Sequence, residues 1–310
     1  MKIYRGIEEF KPLKYPVVTS GSFDGVHRGH QKILNRVTSI ARERGGDSVL
    51  ITFWPHPRHI LYPDDNSLKI LTTFDEKARL LEKAGIDHLI KIRFTREFSQ
   101  ISSEDFIRKY LVEKINTRVL VIGYDHRFGK NREGGFEHLK ANSAHYGFEV
   151  EEIPPEDVDH VAVSSTKIRK ALYMGDLDLA NRYLGRRYSI SGVVAPGKKI
   201  GRQLGFPTAN IQVDDDKKLI PVDGIYAVFV EVEGMLHKGM LSIGVRPTIG
   251  VTERTIEANI FEFDRDIYGA RIAIHFVRKF RDEMKFDSLE ELKKQLELDK
   301  ETATRILAGK

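Results

Sequence analysis

No cysteine occurs anywhere in the 310 residues. A disulfide framework and thiolate metal sites are therefore excluded. Long apolar runs are missing too: none approaches the roughly 20 residues that a helix needs to cross a bilayer. The opening segment, MKIYRGIEEFKPLKYP, is charged and lacks the apolar stretch of a secretory signal. A cytoplasmic location and no membrane partner are expected. Neither a repeat of fixed period nor a low-complexity tract is present, which argues against solenoids and long disordered linkers.

What is present is the composition of a globular protein, 41% hydrophobic and 31% charged, long enough for two cores. The net charge is +5 and the isoelectric point about 9.1. Lysine and arginine are scattered rather than gathered in a tail or stripe. The basic balance therefore suits small polyanionic substrates better than a nucleic-acid polymer, and no nucleic-acid partner is expected.

Strand-like and helix-like segments alternate up to about residue 184. Tyr15–Ser20 reads as a strand. Gly29–Arg44 reads as a helix, with Ile33, Leu34, Val37 and Ile40 on one face. Strands at Ser48–Phe53, His88–Arg93, Arg118–Gly123 and Phe148–Ile153 alternate with helices at Phe74–Ala84, Ser102–Lys114 and Glu133–Tyr146. Ser102, three residues before Asp105, makes a capping-box-like start. Such alternation predicts a parallel sheet covered on both faces, a Rossmann-like α/β domain. Beyond Leu184 the pattern changes. Tyr188–Val194, Gly224–Val232, Met235–Ile243, Ile256–Phe263 and Arg271–Lys279 follow one another as strands with turns between them, which predicts a small antiparallel β-barrel. The chain closes on helices, Ser288–Leu296 and a shorter segment to Lys310, with Asp287 or Ser288 as N-cap. Domains 1–184 and 185–310 are expected.

The strongest signal in the first half is the run Gly21-Ser22-Phe23-Asp24-Gly25-Val26-His27-Arg28-Gly29-His30, where the first strand ends and the first helix begins. Ligands bind at such edges of parallel sheets. Gly21, Gly25 and Gly29 let the backbone approach a phosphate, and the N–H groups of the helix start favour an anion. His27 and His30, three apart, face one way and can donate to charge developing on a phosphate. A second anion cradle is Ser164-Ser165-Thr166 followed by Arg169, with hydroxyls and N–H groups at a helix start and a guanidinium for a fork onto phosphate oxygens. Taken alone, ordinary helix capping by serine with a solvated arginine is the better explanation of that segment; beside the histidine turn, phosphate binding gains weight.

The HxGH turn and the late SSTxxR segment resemble the nucleotidyltransferase superfamily. Thr52–Pro57 (TFWPHP), Leu71-Thr72-Thr73-Phe74 with Glu76-Lys77, and Gly123–Gly129 (GYDHRFG) narrow the resemblance to the FAD synthetase module of bacterial bifunctional riboflavin kinase/FAD synthetases. The resemblance implies an ATP site of Gly21, Phe23, Asp24, Gly25, His27, His30, Ser164, Ser165, Thr166 and Arg169. It implies FMN contacts from Asp125, Arg127 and Phe128, with a minor role for His56, which sits between two prolines of an extended turn. Ser22 stands where the family often has Asn, and His126 where it has Phe.

The second half carries Gly201–Asn210 (GRQLGFPTAN). Its glycines offer a flexible phosphate loop. Thr208 and Asn210, alternate residues of an extended segment, point one way and offer oxygens to one Mg²⁺. A β-turn with a capping Asn accounts for the segment in isolation. Asp223–Tyr226, Gly244–Thr248, Glu257–Phe263, Asp266–Gly269 and Phe280–Phe286 follow in order, and the series resembles riboflavin kinase along the whole domain. That resemblance implies an ATP loop of Gly201, Gly205, Phe206, Pro207, Thr208 and Asn210, a catalytic Glu257, and flavin contacts from Arg281 and Glu283. Ala258-Asn259 replaces a frequent Val-His. The expected reaction sequence is phosphorylation of riboflavin to FMN, then adenylylation of FMN to FAD, with ATP and Mg²⁺. A different nucleotidyltransferase would need no second barrel of this kind, and a nucleic-acid-binding descendant would have no use for the intact His and Glu positions.

Overall fold

The computed structural model describes all residues except 66, 125, 131–132, 156, 159–160, 198–199, 249–250 and 310, with backbone alone at 157–158, 161, 200, 246–248 and 251–253. By compactness the chain divides into Met1–Ser165 and Thr166–Lys310.

In the first unit, strands β1 (Lys2–Tyr4), β2 (Pro16–Ser20), β3 (Asp47–Trp54), β4 (His88–Arg93), β5 (Val119–Gly123) and β6 (Glu149–Ile153) form one parallel sheet in the order β1-β4-β3-β2-β5-β6. Alternate side chains go to opposite faces. Val18, Val49, Ile51, Ile90, Leu120 and Ile122 join one core, and Val17, Leu50, Leu89, Val119 and Val121 the other. Both faces are therefore apolar, which is why these strands read as nearly continuous hydrophobic runs. From β2 the chain steps outward to β3 and β4, then returns to place β5 on the other side of β2. This reversal of strand order opens a crevice at the carboxyl ends of β2 and β5.

Helix α1 (Arg28–Glu43) packs on β2, β3 and β5 through Leu34, Val37 and Ala41. A short helix α2 (Pro57–Leu61) follows β3. The sequence suggests an extended turn there, but Pro57 sits in the first turn, where a missing N–H is tolerated, and His56 caps it. Helix α3 (Phe74–Lys83) carries the reciprocal Thr73/Glu76 capping box. After α4 (Arg96–Ser99), α5 (Ser103–Phe106) starts at Ser102, whose Oγ accepts from the Asp105 N–H at 3.0 Å, and runs into a π-helical segment Ile107–Lys114. Helix α6 is Phe136–Tyr146, and β7 (Asp157–Val158) pairs with β8 (Val161–Ala162).

Helix α7 (Ser165–Tyr173) starts on the last residue of the first unit, and the second unit continues with α8 (Leu177–Leu184), β9 (Tyr188–Ala195), α9 (Ile200–Gln203), β10 (Ala209–Val213), β11 (Gly224–Val232), β12 (Met235–Thr248), β13 (Val251–Ile260) and β14 (Arg271–Arg281). The strands close into an antiparallel barrel, β10-β13-β12-β11-β14-β9. Two helices were expected at the end of the chain; there is one, α10 (Leu289–Leu307), capped by Ser288. Asp299 does not break it. Its carboxylate accepts from Gln295 one turn earlier and from Arg281 of β14, so the residue favours the helix through its partners. Phe206, Phe229, Met240, Phe261, Ala303 and Leu307 form the core between this helix and the barrel. No helix among the described residues is long and apolar enough to cross a membrane.

Candidate functional sites in the two units

The Gly21–His27 turn lies at the crevice. It is built against backbone preference: Phe23 and Val26 have φ of 46° and 40°, beside Gly25 at 83°. Two non-glycine residues in the left-handed region cost roughly 1–3 kcal/mol each, and such strain persists only where surroundings impose it. The surroundings here are polar and buried. The Asp24 carboxylate, 3% exposed, accepts from the Leu71 N–H at 2.9 Å and the Thr72 N–H at 3.0 Å. The Gly25 N–H donates to Thr72 Oγ1 at 3.1 Å, and Ser165 Oγ donates to the Asp24 carbonyl at 2.9 Å. Asp24, expected to contact ATP, thus directs its carboxylate into the scaffold of the turn.

His27 is buried and caps α1: its Nδ1 accepts from the His30 N–H at 3.3 Å. An acceptor at Nδ1 puts the ring proton on Nε2, which makes Nε2–H a donor. The His27 and His30 rings stack at 3.6 Å between centroids, 15° apart in plane, and Phe23 packs on His30 at 4.8 Å. A Cβ on Gly29 would stand 3.3 Å from the His27 ring, a tight contact that would crowd the stack at the helix start. The two rings are thus held face to face at the start of α1.

The neighbouring wall comes from the loop after β5. His126 Nε2 lies 3.1 Å from Ser20 Oγ at the end of β2, so the residue that departs from the family pattern joins the two strand ends flanking the crevice. Phe128 packs on Phe106 at 5.6 Å and exchanges backbone hydrogen bonds with Gly134; Arg127 donates to the His126 carbonyl at 2.9 Å. Asp125 lies outside the described residues. His56 accepts from the Arg58 N–H as the cap of α2. Ser164 and Ser165 close the first unit; Thr166 is exposed and Arg169 half-buried on α7, in the second unit.

In the barrel, Asn210 pairs with Glu257 in register, so their side chains share a face, and Thr208, two residues earlier, shares it as well. Thr208 Oγ1 donates to Glu257 Oε2 at 3.3 Å. With its proton directed at the carboxylate, the hydroxyl presents lone pairs elsewhere, as a ligand to a cation would. Asn259, another departure from the family pattern, donates to the Pro207 carbonyl at 2.7 Å and so ties the loop before Thr208 to the strand of Glu257. Gly201 has a packing reason: a Cβ there would lie 2.3 Å from the Phe206 carbonyl oxygen. Gly205, at φ 85°, makes the turn into Phe206, whose ring is buried, while Pro207 is exposed.

Thr208 and Glu257 line a cavity of about 460 Å³ that also takes in Arg281 and Glu283. Neither of the last two is a bare side chain at its wall. Arg281 makes a two-pronged ion pair with Asp299, which is 2% exposed, and Glu283 accepts from Ser242 Oγ at 2.7 Å. Thr72 and Lys77 stand in the Leu71–Lys77 motif, but their part in building the turn is not legible there, and Asp299 and Ser242 stand in no motif. Lys77 had a signal, since it falls four before Leu81 on the apolar stripe of α3 where a solvated lysine does not belong. Asp299 had none, because its partner is distant in sequence.

Residues 11–167 match the FAD synthetase family and residues 184–307 the riboflavin kinase family. The chain is 36% identical over 311 residues to the bifunctional riboflavin kinase/FMN adenylyltransferase of Pseudomonas fluorescens, covering 100% of this chain and 98% of the relative. It is 38% identical to that of Haemophilus influenzae, covering 98% of both. A crystal structure from Streptococcus pneumoniae, described as a macrolide-efflux protein, superposes with a TM-score of 0.87 at 30% identity over 97% of each chain.

Proposed function

The chain belongs to the bifunctional riboflavin kinase/FMN adenylyltransferase family, and from that premise we propose that two separate sites carry its two reactions, the His27/His30 turn and the Thr208/Glu257 face of the barrel. The chain phosphorylates riboflavin to FMN with ATP and joins the AMP moiety of ATP to FMN, giving FAD and pyrophosphate.

In the first reaction the ribityl 5′-hydroxyl attacks the γ-phosphorus, the bond to ADP breaks, and Glu257 takes the hydroxyl proton. Arg281 and Glu283, each held by a neighbour, line the space proposed for the flavin. Gly201, Gly205, Phe206 and Pro207 form the loop proposed to follow the triphosphate. Thr208, Asn210 and the carboxylate beside them are hard oxygen donors on one sheet face, which is the donor set that suits Mg²⁺. When bound there, the ion would offset negative charge on the transferring phosphoryl group.

In the second reaction a phosphate oxygen of FMN attacks the α-phosphorus of ATP and the bond to pyrophosphate breaks. His27 and His30 donate hydrogen bonds to the charge that develops, and the strained turn keeps them aligned before substrate arrives. Ser164 and Ser165 are assigned to the same nucleotide, and Arg127 and Phe128 to FMN. The observation that carries the assignment is the stacked, capped histidine pair at the point where the sheet reverses its strand order. Incubation with riboflavin, ATP and Mg²⁺ followed by separation of the flavins tests the pathway as a whole: FMN should rise first and FAD follow.

A fragment test separates the sites. We place the functional boundary at 184–185, but helix α8 is bound to the barrel: Asn181 Nδ2 donates to the Phe276 carbonyl at 3.0 Å, and Asn181 Oδ1 accepts from the Tyr188 N–H at 2.6 Å. Fragments 166–310 and 184–310 should both convert riboflavin to FMN and form no FAD. The shorter one should unfold more easily, by about 2–4 kcal/mol, because it lacks the burial of Leu177 and Tyr183. Denaturant titration of the two fragments checks this, and FAD formed by either would overturn the assignment.

A further inference from the structure

Beneath the glycine turn lies a lysine that the reaction scheme leaves without a role. Lys77, on α3, is 3% exposed, a burial lysine rarely accepts. Its Nζ donates to the Ser22 carbonyl and to Thr52 Oγ1, both at 2.9 Å, and sits 5.5 Å from the centre of the Trp54 ring. Two residues further along the turn, the Asp24 carboxylate is held by the Leu71 and Thr72 amides. The left-handed Phe23 is thus bracketed, with an ammonium gripping the carbonyl before it and a bound carboxylate after it.

A neutral donor could hold the Ser22 carbonyl without the cost of burying a charge. What an ammonium adds is strength in its hydrogen bonds and a counter-charge for Asp24, in surroundings where charges are weakly screened. We propose that Lys77 is a positioning residue for adenylyl transfer, holding the turn through Ser22 and Asp24 in the left-handed form that presents His27 and His30. The proposal rests on the assignment of that turn to adenylyl transfer.

The charge on Lys77 is labile. Burial lowers its pKa to about 8, against the attraction of Asp24 and with a smaller push from Lys91 in the same direction as burial. A lysine whose folded pKa is depressed loses its proton as pH rises through that value. The turn is therefore gripped by an ammonium at neutral pH and by a neutral amine above about pH 8.

The test uses the full-length protein as parent, Lys77→Met, Lys77→Arg and His30→Ala. FAD formation from FMN and FMN formation from riboflavin are measured with the same preparations between pH 6.5 and 9.5. Lys77→Met should lower kcat for FAD formation by about 10- to 100-fold, the scale of a lost support behind an active group, while riboflavin phosphorylation stays within two-fold. The parent should lose FAD-forming activity on an alkaline limb near pH 8 that riboflavin phosphorylation lacks. That limb should be absent in Lys77→Met and move upward in Lys77→Arg, whose guanidinium keeps its charge. The proposal is overturned if the parent shows no such limb, if Lys77→Met stays within two-fold of it, or if the limb is unchanged in Lys77→Arg. The last comparison decides should Lys77→Met fail to fold. FAD formation that survives in His30→Ala overturns the site assignment and the proposal with it; survival in Lys77→Met alone overturns the proposal and leaves the site standing.

Discussion

Glu257→Gln should abolish riboflavin phosphorylation while FMN supplied directly is still adenylylated. Glutamine preserves the length and shape of the side chain and its carbonyl can still accept from Thr208 Oγ1, so the contact that joins the loop to β13 survives. What is lost is the capacity to accept a proton from the ribityl hydroxyl at neutral pH. Removal of a general base typically costs roughly 100- to 10,000-fold in rate, and a loss of only a few-fold would mean that another group takes the proton. Adenylyl transfer, assigned to the first unit, serves as the folding control in the same tube. Thr208→Ala should behave differently. It removes an oxygen donor proposed for Mg²⁺ but leaves the carboxylate, so its defect should be partly relieved by raising the Mg²⁺ concentration, whereas that of Glu257→Gln should not. Identical Mg²⁺ dependence in the two variants would end the distinction between base and metal ligand.

Both fold classes were legible because they rest on periodicity and punctuation, which are local. β4 and β11 begin and end where the hydrophobic patterns do, and α1 differs by one residue at each end from the periodic stretch. What was not legible depends on partners remote in sequence. β1 is three residues long and is a strand only because β4 lies beside it. β12 and β13 extend past their apolar cores because each supplies the other's hydrogen bonds as far as Thr248 and Val251. The π-helical stretch Ile107–Lys114 carries no residue signature at all. The sites divide in the same way. The groups proposed for chemistry, His27, His30, Thr208 and Glu257, announced themselves through motifs. Several groups that hold them have roles that only the fold shows: Thr72 under Gly25 and Asn259 on Pro207 stand in quoted motifs that give no sign of what they hold, and Asp299 on Arg281 stands in no motif.

That difference between a reacting group and its support makes His30 the sharper target in the first unit. His27 serves two ends at once, because its Nδ1 caps α1 while its ring joins the stack. Its replacement by alanine would remove a cap, at about 1 kcal/mol, along with a phosphate donor, and the two losses would be read together. His30→Ala avoids this. The cap bond uses the His30 backbone N–H, which alanine also has, so the tautomer of His27 and the start of the helix persist. What is removed is the ring with its packing against Phe23 and His27. Loss of one preorganised donor to developing charge costs on the order of 100- to 1000-fold in kcat. FAD formation from FMN at saturating ATP should fall by that amount while riboflavin phosphorylation by the same preparation is unchanged. Equal loss of both activities would point to a folding defect, and a fall of less than about five-fold in FAD formation would remove the histidine pair from the chemistry and leave it as a helix cap, since the donor's absence would then cost well under the range expected for such a group.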